Sequence, residues 1–220
     1  MSAIVIGAGA VSSIGLGAAA TAAAQRAGIA GHADHPFMLD RAGEPMVVSR
    51  VPFGDEDMDG VERMLELGIP AAREALGTLV CDRAVDILLA LPESRPGLPH
   101  GFATEVGSRL AERLADTAAV GRLKIRPRGH AAGLSLLGEA VTMLTRDPDA
   151  LILVGGVDSW LVPETLEWLD SQEILHSAEM PWGFCPGEAA GFCLLAEIAQ
   201  LVGGFSKFAA GGAARRESDQ

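Results

Sequence analysis

Short apolar runs alternate along the chain with stretches whose apolar residues recur at helical spacing. The runs at residues 3–6, 46–48, 85–90, 151–154 and 191–196 are bounded by glycines or polar residues, which is typical of buried strands. Helical stretches separate most of these strands. The pattern therefore predicts an α/β fold with a largely parallel sheet.

Four segments have helical spacing of apolar residues or a proline that begins a helix: residues 17–27, residues 57–76, the segment around Val106, Leu110 and Leu114, and the segment after Pro163. Pro70 is expected to kink the second of these helices or to divide it in two. Residues 29–45 are predicted to form a loop.

The stretch from residue 131 to residue 144 is apolar nearly all round. Only Ser135, Glu139 and Thr142 interrupt it. A helix of this kind is normally buried on every side. Because a single sheet covers only one side of a helix, we expect a second layer, from this chain or from a partner, to cover the other.

The 220 residues are 49% hydrophobic and carry a formal net charge of −12, which suits one folded domain. We assign residues 1–198 to that domain and residues 199–220 to a loosely ordered tail. A surface this negative repels nucleic-acid phosphates and anionic lipids. Neither a nucleic acid nor a membrane is therefore an expected partner.

The cysteines and the N-terminal segment predict the compartment. Cys81, Cys185 and Cys193 lack the spacing of a zinc motif and are expected to be reduced thiols, with no metal site. Residues 1–25 carry no charge, but they lack a basic start and are interrupted by glycines, unlike an export signal. The sequence therefore predicts a cytoplasmic protein.

Residues 7–12 read Gly-Ala-Gly-Ala-Val-Ser and invite a dinucleotide-binding interpretation. Ser12 stands where the third glycine of that motif belongs, and no second strand ends in an acidic residue at the required distance. We therefore favour a strand-to-helix turn that needs a flexible backbone.

Three later segments are more specific. Residues 129–133 (Gly-His-Ala-Ala-Gly) precede the apolar helix, residues 151–158 (Leu-Ile-Leu-Val-Gly-Gly-Val-Asp) follow it, and residues 183–191 (Gly-Phe-Cys-Pro-Gly-Glu-Ala-Ala-Gly) precede the last strand. Together with residues 6–11, their order and spacing resemble the N-terminal half of the β-ketoacyl-acyl-carrier-protein synthases and the thiolase-like superfamily. The resemblance covers residues 3–197.

The resemblance implies a thiolase-like half with a mostly parallel mixed sheet and a buried apolar helix. It also implies a catalytic cysteine at the start of that helix and two histidines in a second half. Matched residue by residue, the cysteine position falls on His130, and the two histidine positions lie beyond the sequence. The implied ligand is an acyl-phosphopantetheine or coenzyme A thioester, without a resident cofactor. The implied partner is an acyl-carrier protein or a second synthase-like subunit, in a homo- or hetero-oligomer.

An imidazole at a helix N-terminus should stay neutral, because the helix dipole disfavours its cation. An acyl-imidazole hydrolyses too readily to wait for a second substrate, so we predict loss of condensation. One expectation is a non-condensing subunit that binds acyl chains or a carrier protein. The alternative is an active fatty-acid or polyketide acyltransferase that uses His130 or a partner chain. A third alternative is that His130 has no chemical role and only forms a hydrogen bond at the turn.

Four basic residues alternate just before this turn and would share one face of a strand: Arg122, Lys124, Arg126 and Arg128. One interpretation is an edge strand whose charges prevent unwanted pairing. The other is a basic stripe that binds an acidic carrier protein or the phosphate of its prosthetic group. In the related synthases this strand commonly lies at the dimer interface and is less charged, which argues against family-style dimerisation.

The remaining polar candidates are weaker. His32, His35, His100 and His176 are expected to be solvated loop residues. Glu188 is expected to be buried, to accept hydrogen bonds from backbone amides and to have a structural role.

Overall fold

The structure, a computed structural model, describes residues 2–54, 60–77 and 83–198. Its elements in chain order are β1 (Ala3–Ser12), β2 (Gly15–Leu16), α1 (Ala18–Arg26), β3 (Ala33–Leu39), β4 (Pro45–Val48), α2 (Gly60–Leu76), β5 (Val85–Leu91), α3 (Phe102–Leu114), β6 (Val120–Pro127), α4 (Ala132–Arg146), β7 (Leu151–Ser159), α5 (Pro163–Ser171) and β8 (Glu188–Glu197).

A mixed sheet forms the centre of the described chain, with strands in the order β2-β1-β8-β7-β5-β6. β5 pairs in parallel with both β6 and β7, whereas β8 runs antiparallel to its neighbours β1 and β7. Strands β1, β5, β6 and β7 therefore point in the same direction. This arrangement confirms the predicted α/β fold with a mostly parallel mixed sheet.

Helices α2 and α3 pack against one face of the sheet. The core between them includes side chains that are at most 1% exposed: Leu67, Ile87, Leu89, Leu110 and Leu153. The predicted helical spacing accounts for this core, because one stripe of each helix meets one face of the alternating strands. Pro70 lies inside α2, which continues as a single helix past it, so the predicted division in two is wrong.

Helix α4 packs against the opposite face of the sheet and buries one of its sides. The buried stripe consists of Ala132, Leu136, Ala140 and Leu144. On the other side, Leu134 is 78% exposed and Val141 is 44% exposed. In the described chain the sheet therefore covers only one side of this helix, and the second layer expected over the other side stays a prediction that needs a partner.

Gly7 and Gly9 bring α2 into direct contact with β1. A Cβ atom on Gly7 would lie 2.0 Å from the carbonyl oxygen of Ala75, and one on Gly9 would lie 2.0 Å from that of Ala71. The predicted turn at these glycines is wrong, because β1 continues to Ser12. The glycines serve close helix–strand packing rather than a flexible turn.

Residues 29–45 are not a simple loop as predicted. They contain β3, which pairs antiparallel with β4. The buried side of β4 packs against α5 in a separate small cluster formed by Met46, Val48, Leu166, Leu169 and Leu175. The predicted tail at residues 199–220 and Cys81 lie outside the described residues. Within the described ranges, no helix has the length and apolar content needed to span a bilayer.

Candidate functional site

The connections after β5 and β6 leave the sheet on opposite faces. The chain passes from β5 through α3 to β6 on one face, and from β6 through α4 to β7 on the other. Because β5 lies between β6 and β7, the carboxyl ends of the three strands adjoin where these connections diverge. Ligands of open α/β sheets bind in the crevice at such a point. The loops after β5, β6 and β7 therefore form the candidate site.

His130 lies in this crevice region, in a 3₁₀ turn (Gly129–Ala131) that joins β6 to α4. Gly129 has φ 60°, a left-handed conformation that favours glycine and aims the chain into the helix. The imidazole of His130 is exposed and makes no hydrogen bond to the described residues. The described residues therefore offer no partner for the hydrogen bond that one alternative assumed, and an inert role for His130 stays a prediction.

Glu93, in the loop after β5, lies beside the His130 turn. A Cβ atom on Gly129 would be 3.7 Å from Glu93 Oε1. Glu93 is exposed and forms no ion pair with the described residues. Sequence reasoning missed this carboxylate, whose only signal was its place just after a buried strand.

A buried arginine holds the loop after β5 against the end of β7. Arg95 donates to Asp158 through Nη2–Oδ1 at 2.5 Å and Nη1–Oδ2 at 3.2 Å, and to the Ser159 carbonyl at 2.6 Å. Its guanidinium also stacks 4.0 Å from the ring centroid of Trp160. Such a bidentate pair fixes both the position and the orientation of the guanidinium group relative to the carboxylate. Arg95 therefore ties the loop after β5 to the end of β7, a contact that the sequence did not reveal.

Glu188 is buried at the start of β8, as predicted, but its partners differ from the prediction. Arg63 donates to both of its carboxylate oxygens, at 3.0 Å to Oε2 and 2.5 Å to Oε1. The Val51 amide and the Ser159 hydroxyl each donate at 2.9 Å. Only one of these donors is a backbone amide. The network ties α2 to the ends of β7 and β8.

Strand β6, at the edge of the sheet, carries Arg122, Lys124 and Arg126 of the predicted basic stripe on the face that α4 covers, whereas Arg128 follows the strand. Arg122 donates to Asp86 from Nε at 2.9 Å and from Nη2 at 2.6 Å, and the Asp86 carboxylate raises the pKa of Arg122. Leu123 and Ile125 pack into the core on the opposite face. The predicted edge position of β6 is confirmed, and so is the alternation as far as Arg126. For Arg128 the prediction is wrong, because the strand ends at Pro127.

Lys124 and Arg126 both bind Glu139 of α4. Arg126 donates from Nη2 to Glu139 Oε2 at 2.9 Å, and Lys124 donates to Glu139 Oε1. The hydrogen bond from Lys124, supported by the charge of Arg126, lowers the pKa of Glu139. Arg128 is exposed and makes no side-chain contact of this kind with the described residues. Three of the four cations therefore have a carboxylate partner inside the chain, with Lys124 and Arg126 sharing one.

Three of the other four histidines accept or share hydrogen bonds rather than standing free in solvent. His35 lies in β3, and its Nδ1 accepts the amides of Phe37 and Met38. Burial, with a smaller effect of Arg50, lowers the pKa of His35. His32 contacts Ser49, and His176 contacts a backbone carbonyl. The prediction of solvated loop residues is wrong for His35, because β3 is a strand.

The two described cysteines lie in β8 and in the loop before it. Cys185 and Cys193 are free thiols, and burial raises the pKa of Cys193. Among the described residues, no group of three or more metal-ligating side chains is found.

A cavity of about 450 Å³ lies beside β1, lined by Val11, Phe53 and Glu74 among others. Strands β8, β7 and β5 separate it from the His130 turn.

No protein-family model and no curated protein matches the sequence, but solved structures match the fold. The AntDE–AntF complex, a type II polyketide-synthase acyl-carrier protein bound to its ketosynthase, matches with a TM-score of 0.69 at 17% identity. That match covers 90% of this chain and 59% of the other. The ishigamide ketosynthase/chain length factor matches with a TM-score of 0.65 at 18% identity, over 90% of this chain and 63% of the other.

A β-ketoacyl synthase from Burkholderia phymatum matches with a TM-score of 0.62 at 18% identity, over 91% of this chain and 60% of the other. The chain therefore spans less than two thirds of the length of these ketosynthases. At this level of identity the likeness shows the fold. The chain has the thiolase-like fold of ketosynthases, which confirms the resemblance seen in the motifs.

Proposed function

We propose that this protein is a non-condensing ketosynthase-like subunit that binds an acyl chain or an acyl-carrier protein and works beside a partner. The observation that carries the proposal is His130 at the turn before α4, the position that the motif resemblance matches to the cysteine of the ketosynthases. The ligand would be an acyl-phosphopantetheine or coenzyme A thioester. The free thiols of Cys185 and Cys193 favour the cytoplasm as its compartment.

The chemistry at position 130 supports loss of condensation. Condensation needs a thioester on the enzyme that lasts until the second substrate arrives. An imidazole in its place forms an acyl-imidazole that water cleaves. The other thiols are poor replacements, because Cys193 lies within β8 and burial disfavours its thiolate.

The uncovered face of α4 supports a partner. Leu134 and Val141 project from that face, and Gly133 and Gly138 leave open space around them. Exposed apolar surface of this kind is typical of an interface. A second synthase-like subunit or a second copy of this chain would cover it. Among the similar structures, one is described as a ketosynthase with a chain length factor and one as a ketosynthase with its carrier protein.

Two assays on one preparation test the proposal. Size-exclusion chromatography with light scattering, run with and without holo acyl-carrier protein, should show a complex with the carrier protein or a self-associated chain. An incubation with acyl- and malonyl-carrier protein should yield no β-ketoacyl product. A β-ketoacyl product, or a clean monomer that binds nothing, would overturn the proposal.

A second candidate is an acyltransferase that uses His130. The observation in its favour is that the imidazole is exposed and has no hydrogen-bond partner within the described part of the chain, with the Glu93 carboxylate beside its turn. A carboxylate close to an imidazole can assist proton transfer. Radiolabelled acyl thioester should then label the wild type and the matched variant His100→Ala, but not His130→Ala. Equal labelling of all three would remove this candidate.

A further inference from the structure

An exposed aromatic patch lies on the connection from α5 to β8. All three tryptophans of the chain fall within residues 160–182. Trp182 is 81% exposed, and Ile174 and Phe184 of the same connection are exposed as well. Tryptophan side chains are enriched among the residues that contribute most to protein–protein binding, because they bury a large area in a single contact. The patch is therefore a candidate for binding.

Backbone contacts hold this patch in place. The amide of Phe184 donates to the carbonyl of Ile174 at 2.7 Å. Gly183 lies against the same segment, since a Cβ atom on it would be 2.3 Å from the carbonyl oxygen of Leu175. Trp182 therefore projects from a connection whose backbone is already ordered. Binding to such a surface loses little conformational entropy on this side of the contact.

The surroundings of the patch are acidic. Residues 159–187 contain five acidic residues and no lysine or arginine. Arg41, in the turn between β3 and β4, donates to Glu173 at 3.1 Å and lies 3.8 Å from Asp170. The hydrogen bond to Glu173 raises the pKa of Arg41, and the charges of Asp170 and Glu179 add to this effect. One guanidinium thus faces three carboxylates, which leaves a net negative charge next to Ile174.

We propose that Ile174, Trp182 and Phe184, together with the carboxylates of Glu173 and Glu179, form a docking surface for a basic segment of a partner protein, in which arginine lies beside an apolar residue. A guanidinium group stacks on an indole ring and pairs with carboxylates. Charge complementarity favours this partner, because the same carboxylates repel an acidic one. The inference goes beyond the proposed function and does not depend on carrier-protein binding.

A capped peptide of sequence Gly-Arg-Leu-Arg-Gly is the probe, and calorimetry at low salt gives its dissociation constant. Trp182→Ala should weaken binding about threefold to thirtyfold, the range expected for loss of a cation–π contact. Because Trp182 is exposed, the melting temperature of this variant should stay within about 2 °C of the wild type. The control Leu16→Ala, at an exposed position on β2, should leave the dissociation constant unchanged.

The charge requirement is tested on both molecules. A peptide with glutamine in place of both arginines should bind at least about tenfold more weakly, because it loses the cation–π and ionic contacts together. Glu173→Gln should weaken binding of the arginine peptide about twofold to fivefold. The control Glu112→Gln, which removes an equal charge from α3, should bind the peptide like the wild type.

Three results would overturn the proposal. The first is a wild type that does not bind the arginine peptide, or that binds the arginine and glutamine peptides equally. The second is equal affinity of the wild type and Trp182→Ala for the arginine peptide. The third is self-association that Trp182→Ala abolishes while the peptide does not bind, which would assign the patch to a second copy of this chain.

Discussion

Replacing Arg63 with Met tests the buried network that holds α2 to the ends of β7 and β8. The side chain of Arg63 is 2% exposed and that of Glu188 is 1% exposed, so water cannot replace the lost partner. In Arg63→Met, the Glu188 carboxylate keeps only the Val51 amide and the Ser159 hydroxyl as donors. Removing one partner of a buried pair costs about 3–5 kcal/mol.

Urea unfolding followed by circular dichroism measures this cost directly. In a domain of this size, the loss corresponds to a fall in melting temperature of roughly 6–20 °C. The matched control is Arg73→Met, which removes an ion pair with Asp116 whose side chains are 43% and 67% exposed. That surface pair should contribute at most about 1 kcal/mol.

The double variant Arg63→Met/Glu188→Gln separates the buried charge from the packing. Gln keeps one acceptor oxygen for the Val51 amide, and its NH2 group can donate to the Ser159 hydroxyl oxygen. Because Gln carries no charge, the double variant should recover about 1–3 kcal/mol relative to Arg63→Met alone. The reasoning is refuted if Arg63→Met costs less than 1 kcal/mol. It is equally refuted if the double variant is no more stable than the single one.

Two further predictions concern packing and pH. Gly9→Ala should destabilise the fold by about 1–3 kcal/mol in urea unfolding, because its Cβ would meet the backbone of α2. The control Gly133→Ala, which meets open space, should be neutral or stabilise by up to about 1 kcal/mol, and equal effects would contradict the reasoning. The pKa of His35 is lowered in the folded chain, so the unfolded chain takes up its proton first, and stability should fall as the pH drops below 6.5. The variant His35→Asn should show a smaller change in melting temperature between acidic and neutral pH than the wild type. An unchanged pH dependence would contradict the assignment to His35.

The sequence predicted elements best where the signal was local. The apolar runs marked β5 and β7 because both strands are buried on two faces, and the alternation in residues 122–126 marked the face and the edge position of β6. β1 was predicted too short because glycine is a poor strand former. The contact with α2 that requires those glycines joins residues far apart in the chain.

The site was harder to predict because its partners are distant in sequence. Arg95 and Asp158 are 63 residues apart, and Arg63 and Glu188 are 125 residues apart. No local spacing relates them. The motif around His130 placed the turn correctly, since a strand, a left-handed glycine and a helix follow each other there. The neighbour of this turn, the loop after β5 with Glu93, could not be predicted, because it depends on the position of β5 between β6 and β7 in the sheet.

Light scattering on the purified chain, alone and with a synthase-like subunit, tests most directly whether α4 belongs to an interface. We expect the wild type to associate through the exposed side of α4 and Leu134→Lys to stay monomeric, since a buried lysine charge would disrupt an apolar interface. Leu16→Lys, at a position that is 60% exposed on β2, should associate like the wild type. A wild type that remains a well-behaved monomer and binds no second subunit would contradict the account.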